Sequence, residues 1–183
     1  GDGTFQAFVS YAARVGSPYG APPLVAEDLN GDGRPDLATA DTGCQGKCLY
    51  VPGTVSVLLN RGDGTFQAAS IYRAGDGARS LIAADLNADG EPDLATANPD
   101  CSWCGRTNDV SVLLNRRDGT FSDAVHYGAG GEWLVAADLN ADGRTDLAAA
   151  SSGASDIAVL LNQTAPPSSL DRNRNGVPDE CDS

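Results

Sequence analysis

The sequence predicts an all-β protein made of three tandem four-stranded propeller-type blades. The chain of 183 residues repeats one pattern three times, at a period of about fifty residues. Each repeat holds short segments of alternating or β-branched apolar residues that are separated by Gly, Asp and Asn, as expected for strands and turns. No stretch keeps a helical apolar period. Four strands in a repeat of this length are typical of a propeller blade.

The three repeats span residues 1–60, 61–115 and 116–162, and each is predicted to contain four strands in the same order. The first strand runs from the Phe of an Asp-Gly-Thr-Phe turn to a Tyr six residues later. An apolar segment, an Asp-Leu-Ala segment and a final Val-Leu-Leu-Asn or Ala-Val-Leu-Leu-Asn segment follow. We therefore expect each repeat to form one blade of a partial or oligomer-completed β-propeller.

An acidic loop separates the second and third predicted strands of every repeat. Counting from Asp28, Asp85 or Asp138, oxygen-bearing side chains occupy positions 1, 3, 5 and 9, and glycine occupies position 6. This spacing is that of a calcium-coordinating loop, in which the glycine permits a sharp turn. Position 12 is Thr or Ala instead of the Glu of an EF-hand, so these loops are not EF-hands. The competing interpretation is a set of simple Asp-Gly and Asn-Gly hairpin turns.

Two segments carry a family resemblance. Leu-Asn-Gly-Asp-Gly-Arg-Pro-Asp-Leu at 29–37 and Val-Leu-Leu-Asn-Arg-Gly-Asp-Gly-Thr-Phe at 57–66 resemble FG-GAP/VCBS repeats, the blades of integrin-α-like propellers. The resemblance covers 1–162 and implies calcium in each loop, with the backbone carbonyl as the ligand at position 7. The implied ligands are Asp28, Asn30, Asp32, Arg34 and Asp36; Asp85, Asn87, Asp89, Glu91 and Asp93; and Asp138, Asn140, Asp142, Arg144 and Asp146.

The C-terminal part has a different composition. Residues 163–170 are rich in Pro and Ser and are predicted to form a linker. The tail, 171–183, resembles the calcium loops of dockerin and thrombospondin type 3 repeats, and an ordinary disordered terminus is the alternative. The ligands implied in this tail are Asp171, Asn173, Asn175, Val177 through its carbonyl, Asp179 and Asp182.

Four of the five cysteines lie in two equivalent inserts that follow the third predicted strand of repeats one and two. One interpretation is a pair of local disulfides, Cys44 with Cys48 and Cys101 with Cys104, in an exported protein. The other is a four-thiolate zinc site. Calcium loops of modest design suit extracellular calcium concentrations, which favours the disulfides. Cys181 has no assigned partner.

The net charge and the targeting signals limit the classes of partner and the compartment that we expect for this protein. A formal net charge of −13 with 21 Asp and 4 Glu argues against nucleic acid and against anionic membranes. The sequence shows no signal peptide, apolar transmembrane run or initiating Met. We therefore expect a secreted or cell-surface protein that is a processed product or a piece of a longer chain. Calcium is the expected cofactor.

A histidine, a tripeptide, two tryptophans and a glycosylation sequon also bear on function. The single histidine, His126, is predicted to lie on a blade surface, and no serine has an evident histidine partner, so we expect no catalysis. The tripeptide Arg-Gly-Asp at 61–63 is predicted to form a turn. Trp103 and Trp133 are candidate contact residues, with Trp103 the better candidate for an exposed binding aromatic. Asn162 begins an Asn-Gln-Thr glycosylation sequon.

Three blades are too few to close a propeller, which typically has four to eight. The outer faces of the first and last blades would remain uncovered unless chains pair into a ring, stack into a filament, or belong to a longer propeller. The leading expectation is a calcium-stabilised extracellular structural protein that self-associates, with the 1–11 segment available for strand addition. The alternatives are an adhesive or glycan- or protein-binding module, and the noncatalytic propeller of a larger secreted enzyme.

Overall fold

A computed structural model of the chain describes residues 4–5, 7–13, 22–41, 44–45, 49–50, 53–99, 108–151 and 155–163. All regular structure in these ranges is β. The strands are β1 (Leu24–Glu27), β2 (Asp36–Asp41), β3 (Cys44–Gln45), β4 (Leu49–Tyr50), β5 (Thr54–Leu58), β6 (Ser70–Arg73), β7 (Ser80–Ala84), β8 (Asp93–Asn98), β9 (Asp109–Leu113), β10 (Val125–Tyr127), β11 (Trp133–Ala137), β12 (Asp146–Ser151) and β13 (Asp156–Leu160).

The strands form three antiparallel blade sheets and one short ribbon. Sheet one has the order β1-β2-β5-β6, sheet two the order β7-β8-β9-β10, and sheet three the order β11-β12-β13. The ribbon pairs β3 with β4 in the insert of repeat one. The predicted all-β fold of propeller-type blades is confirmed. Across the described ranges, no helix is long and apolar enough to span a membrane.

The sheets are offset by one strand from the sequence repeats. β6 belongs to repeat two but pairs with β5, with Tyr72 opposite Val55, and β10 of repeat three pairs in the same way with β9. The expectation that each repeat forms one complete blade is therefore wrong. The reason is the Asp-Gly-Thr turn, which closes a hairpin through a bridge between Asn60 and Phe66 and folds the next strand back onto β5.

The two ends of the array depart from the predicted strand pattern. Residues 4–5 and 7–13 form no strand, although the sequence predicts the first strand of repeat one there. Phe5 is 98% exposed, while Tyr11 packs edge to face on Phe66 at a centroid distance of 5.4 Å. In the part of the chain that the structure describes, β13 has no fourth strand beside it.

Adjacent sheets pack face to face and create two cores. We call the face of a sheet that is directed toward the next sheet along the chain its forward face. The first core joins the forward face of sheet one (Ala38, Ala40, Val55 and Val57) to Leu81, Leu94 and Leu113 of sheet two. The second joins the forward face of sheet two (Ala95, Ala97, Val110 and Val112) to Leu134, Leu147 and Ala149 of sheet three. A central blade thus buries both faces, which explains its strands' continuous apolar character.

Candidate calcium loops and association face

The three acidic loops occupy equivalent connections between the first two strands of each sheet. At position 6 of the loop, Gly33, Gly90 and Gly143 have φ values of 82°, 90° and 83°, a region that only glycine adopts readily. At position 4, repeat one has Gly31 while the other repeats have alanine with φ near 60°. The loop conformation is therefore kept in all three repeats even where a non-glycine residue must adopt the left-handed region.

Backbone amides orient the side-chain oxygens of each loop. In the first loop, the Asp28 carboxylate accepts hydrogen bonds from the amides of Asp32 (3.1 Å) and Gly33 (2.7 Å). Asn30 Oδ1 also accepts from the amide of Asp32, and Asp32 Oδ1 accepts from that of Arg34. The second and third loops repeat this set of four bonds. The sequence pattern thus specifies one loop geometry three times.

The carboxylate at position 9 ties each loop to the end of its blade. Asp36 is fully buried and accepts hydrogen bonds from the amides of Leu29 (3.0 Å) and Asn60 (2.7 Å). Asp93 and Asp146 accept the equivalent pairs of bonds. These bonds connect the start of the loop, the second strand and the end of the third strand in every blade.

Burial of the aspartate at position 9 disfavours its charged form, and the pKa of Asp93 shows the effect. Desolvation raises the pKa of Asp93 from 3.8 to about 6, against the hydrogen bonds from Asn115 and Leu86, which lower it. The charges of Asp89 and Asp85 raise it further. Desolvation likewise raises the pKa of Asp36.

The loops fit a hard cation in donor chemistry, since each supplies side-chain and backbone oxygens alone, in the order that a calcium loop uses. Their side chains are arranged for internal hydrogen bonds: among the described residues, no three His, Cys, Asp or Glu side chains converge on one point. Arg34 contacts Asp32 at 2.6 Å and Arg144 contacts Asp142 at 3.1 Å. A cation in these loops would compete with those guanidinium groups.

The asparagines that follow the third strands of sheets two and three connect neighbouring blades, a role that sequence reasoning missed. Asn115 Nδ2 donates to Leu29 O in the preceding blade (2.8 Å) and to Pro92 O in its own blade (3.0 Å). Asn162 Nδ2 does the same with Leu86 O (2.7 Å) and a carbonyl of its own loop. Glycosylation of Asn162 would modify the very nitrogen that makes both bonds. The repeated Val-Leu-Leu-Asn ending was the available signal.

His126 has a serine partner, contrary to the sequence expectation. Ser111 Oγ lies 3.0 Å from His126 Nδ1 because the two residues are opposite each other on β9 and β10. Asp109 Oδ2 lies 3.7 Å from the same nitrogen. In a Ser-His-Asp triad the serine and the aspartate contact different ring nitrogens. Ser111 is also buried and accepts a hydrogen bond from Gly75 N, so this group is a structural hydrogen-bond network.

Sheet three exposes the forward face that sheets one and two bury. Ile157 and Val159 are 70% and 51% exposed, whereas the equivalent Val55 and Val57 are 0% and 1% exposed. Trp133 is 70% exposed at the start of β11. We call this surface the uncovered face, and it consists of Trp133, Val135, Leu139, Ile157, Val159 and Leu161. The predicted exposure of an outer blade face is therefore present at this end.

Several other predicted residues can be located. Residues 61–63 lie in a turn, as predicted, in which Asp63 Oδ1 accepts hydrogen bonds from the amide and the hydroxyl of Thr65. The backbone of Cys44 lies in β3. The other residues singled out in the sequence lie outside the described residues: Cys48, Cys101, Cys104, Trp103, Cys181 and the tail ligands Asp171, Asn173, Asn175, Val177, Asp179 and Asp182.

Comparison with known families agrees with this geometry. The FG-GAP-like repeat family matches residues 28–96 and 98–149, which include all three acidic loops. The chain belongs to the FG-GAP-like repeat family. No curated protein shows significant sequence similarity to this FG-GAP-like chain.

A solved lectin shares the fold of the FG-GAP-like chain. The lectin is from Agrocybe aegerita and is described as recognising non-reducing terminal N-acetylglucosamine specifically. Its sequence is 24% identical, the TM-score is 0.51, and the match covers 79% of this chain and 36% of the lectin chain. The FG-GAP-like chain thus spans about a third of the length of this structural neighbour, and the likeness concerns the fold.

Proposed function

We propose that this chain is a calcium-stabilised, extracellular, noncatalytic blade array that associates with a second copy of itself. The observation that carries the proposal is the uncovered face of sheet three. Three of its residues, Leu139, Ile157 and Val159, match positions that are buried in both blade-to-blade cores: Leu29, Val55 and Val57 in the first, and Leu86, Val110 and Val112 in the second. The equivalent faces of sheets one and two each pack against the next blade, so the uncovered face is suited to pack against a further blade. Such a contact joins unlike faces, so two copies can close a ring and more can extend a filament.

A charged substitution on the uncovered face tests the association. Ile157→Asp changes a residue that is 70% exposed in the single chain, so its cost falls on the contact between chains. We expect sedimentation to show at least a tenfold weaker association, with an unchanged circular dichroism spectrum. Ala68→Asp, at an exposed site in the segment that precedes β6, is the matched control. A wild-type chain that remains monomeric at every concentration would refute the association.

Calcium is the second part of the proposal, supported by three loops with oxygen donors and one conserved geometry within the chain. A cation would offset the mutual repulsion of the acidic groups around each buried aspartate. In this proposal Asp28, Asn30, Asp32, Asp36 and the carbonyl of Arg34 hold the ion in blade one, and the equivalent residues hold it in blades two and three. The bound ion would supply charge neutralisation and rigidity.

Removal of calcium tests this part. At a concentration tenfold above its Kd, one site contributes roughly 1.4 kcal/mol, so three comparable sites contribute about 4 kcal/mol. We expect chelation to lower the melting temperature and calcium to restore it, whereas magnesium should restore less because it requires a stricter octahedral geometry. Asp32→Asn should reduce the number of bound ions by one in calorimetry. An identical melt with and without chelator would disprove the calcium role.

Glycan binding is a second candidate because the lectin described above shares the fold. A glycan array that includes terminal N-acetylglucosamine tests this candidate directly. Saturable binding by the monomeric Ile157→Asp variant would favour a glycan-binding module, and absence of binding at millimolar sugar would exclude that sugar class.

A further inference from the structure

A phenylalanine from the following repeat secures the contact between the first two blades. Phe121 is 2% exposed and lies in the first core with Leu29 and Leu113. Its ring meets Tyr72 edge to face at a centroid distance of 5.5 Å. A bridge between Asn115 and Phe121 places the ring there as the chain turns back into β10. The Asp-Gly-Thr-Phe motif therefore both begins the fourth strand and fills the gap between two blades.

The equivalent position at sheet three is an open groove of about 430 Å³. Its walls are the counterparts of the residues around Phe121: Leu86 matches Leu29, Tyr127 matches Tyr72, and Leu160 matches Leu113. After Asn162 the sequence continues Gln-Thr-Ala-Pro-Pro in place of the motif. Six residues after Asn162, at the position that matches Phe121, the residue is Ser168. The groove and the edge of β13 can thus accept a fourth strand, whereas the sequence after Asn162 lacks the Asp-Gly-Thr-Phe motif that begins one.

The chain holds one more copy of the motif, at residues 2–5. The segment aligns with β10 so that Phe5, Val9 and Tyr11 match Phe121, Val125 and Tyr127. Phe5 is 98% exposed and Val9 is 66% exposed. Phe5 is the same residue type as its counterpart Phe121, which is 2% exposed, and Phe5 lacks that burial.

We propose that the segment from residue 4 to residue 11 of a second copy adds to β13 as the fourth strand of sheet three, with its Phe5 ring in the groove against Tyr127. The inference rests on the proposed self-association and identifies the strand that performs it. The two internal precedents fix the register: Phe5 lies opposite Asn162, Val9 opposite Val159, and Tyr11 opposite Ile157, as in sheets one and two.

The donor is a second copy and not the same chain. Tyr11 packs on Phe66 beside sheet one, and sheet two lies between that position and the groove. Stacked sheets are separated by about 10 Å, so the segment and the groove lie at opposite ends of the array. When the segment enters the groove of another copy, sheet three of that copy is placed before sheet one of this copy. The uncovered face is then covered by the same contact.

A peptide and a chain variant test the strand. The peptide has the sequence of residues 1–12, and the full chain carries Phe5→Ser, which removes the donor ring while the groove remains. We expect the labelled peptide to bind this chain in fluorescence anisotropy at least tenfold more tightly than the same peptide with Phe5→Ser. We also expect the Phe5→Ser chain to associate at least tenfold more weakly than wild type in sedimentation. The variant should melt as the wild-type monomer does, because Phe5 is exposed.

A second substitution and the remaining outcomes complete the test. Tyr127→Ser in the Phe5→Ser chain should lower peptide affinity at least tenfold, since Tyr127 forms the groove wall and is 45% exposed. Equal association of wild type and Phe5→Ser overturns the strand assignment and leaves the self-association standing. A wild-type chain that stays monomeric overturns both. Peptide binding that appears only after deletion of residues 164–183 overturns the inference, because the tail would then be the occupant.

Discussion

The contact made by Asn115 between blades one and two predicts an unequal effect of two identical substitutions. Asn115→Ala removes the donor to Leu29 O and Pro92 O and the acceptor of the Arg117 amide. These groups lie in a site where the asparagine is 5% exposed. Three bonds are lost, and the buried carbonyl of Leu29 and the partly buried carbonyl of Pro92 lose this donor. The expected loss is about 2 to 4 kcal/mol of unfolding free energy.

Asn60→Ala is the matched control. Asn60 Nδ2 donates only to Pro35 O, and Asn60 Oδ1 accepts from the amide of Gly62. Because these bonds are accessible to water and stay within one blade, the expected loss is about 1 kcal/mol. Urea unfolding in calcium buffer, followed by circular dichroism, measures both. With a slope near 2 kcal/mol/M the midpoints should fall by about 1 to 2 M and about 0.5 M. Equal losses would refute the claim that Asn115 couples the blades.

Three further predictions concern packing and charge. Gly75→Ala places a methyl carbon in steric overlap with the side chains of Asn98 and Ser111, whereas Gly128→Ala meets nothing within 4 Å. Thermal melts should show a loss of about 1 to 3 kcal/mol for the first and almost none for the second, and similar melts would contradict the packing. Phe121→Ala should cost about 3 to 5 kcal/mol in urea unfolding, whereas Phe5→Ala should leave the monomer unchanged, and equal costs would contradict the difference in burial. In chelator, the pKa of Asp93 is raised to about 6 from 3.8, so the folded state holds the proton more tightly than the unfolded state does. The unfolding free energy of the wild type minus that of Asp93→Asn should therefore fall as pH rises from about 4 to 6 and be flat above 7. A flat difference across the whole range would contradict the raised pKa.

The sequence was sufficient to predict most of the strands and the loop conformation because both follow from local patterns. The positions of apolar residues in segments such as 110–115 predict strands, and the Asp-Gly spacing predicts turns that the structure contains. These features depend on residues within about ten positions of each other. The same local character explains why the sequence predicts the turn at 61–63 correctly.

The pairing of strands could not be predicted in the same way. A tandem repeat has the same period wherever its boundary is drawn, so the sequence does not distinguish whether the strand at 66–73 closes its own blade or the preceding one. The hydrogen bonds between Ser111 and His126, and between Asn115 and Leu29, join residues 15 and 86 positions apart. They become visible only when the register and the order of sheets are known.

The one-strand offset between repeats and sheets has a mechanical consequence. The strands β6 and β10 are supplied by the following repeats. Each of these repeats therefore has one strand hydrogen-bonded in the preceding sheet and the rest of its strands in the next sheet. A repeat that unravels must therefore peel a strand from its predecessor, which exposes an edge and weakens that predecessor in turn. The array should yield to a pulling force as a sequence of coupled ruptures and resist the independent loss of single modules. The unit that was duplicated in the sequence is a link between two folding units.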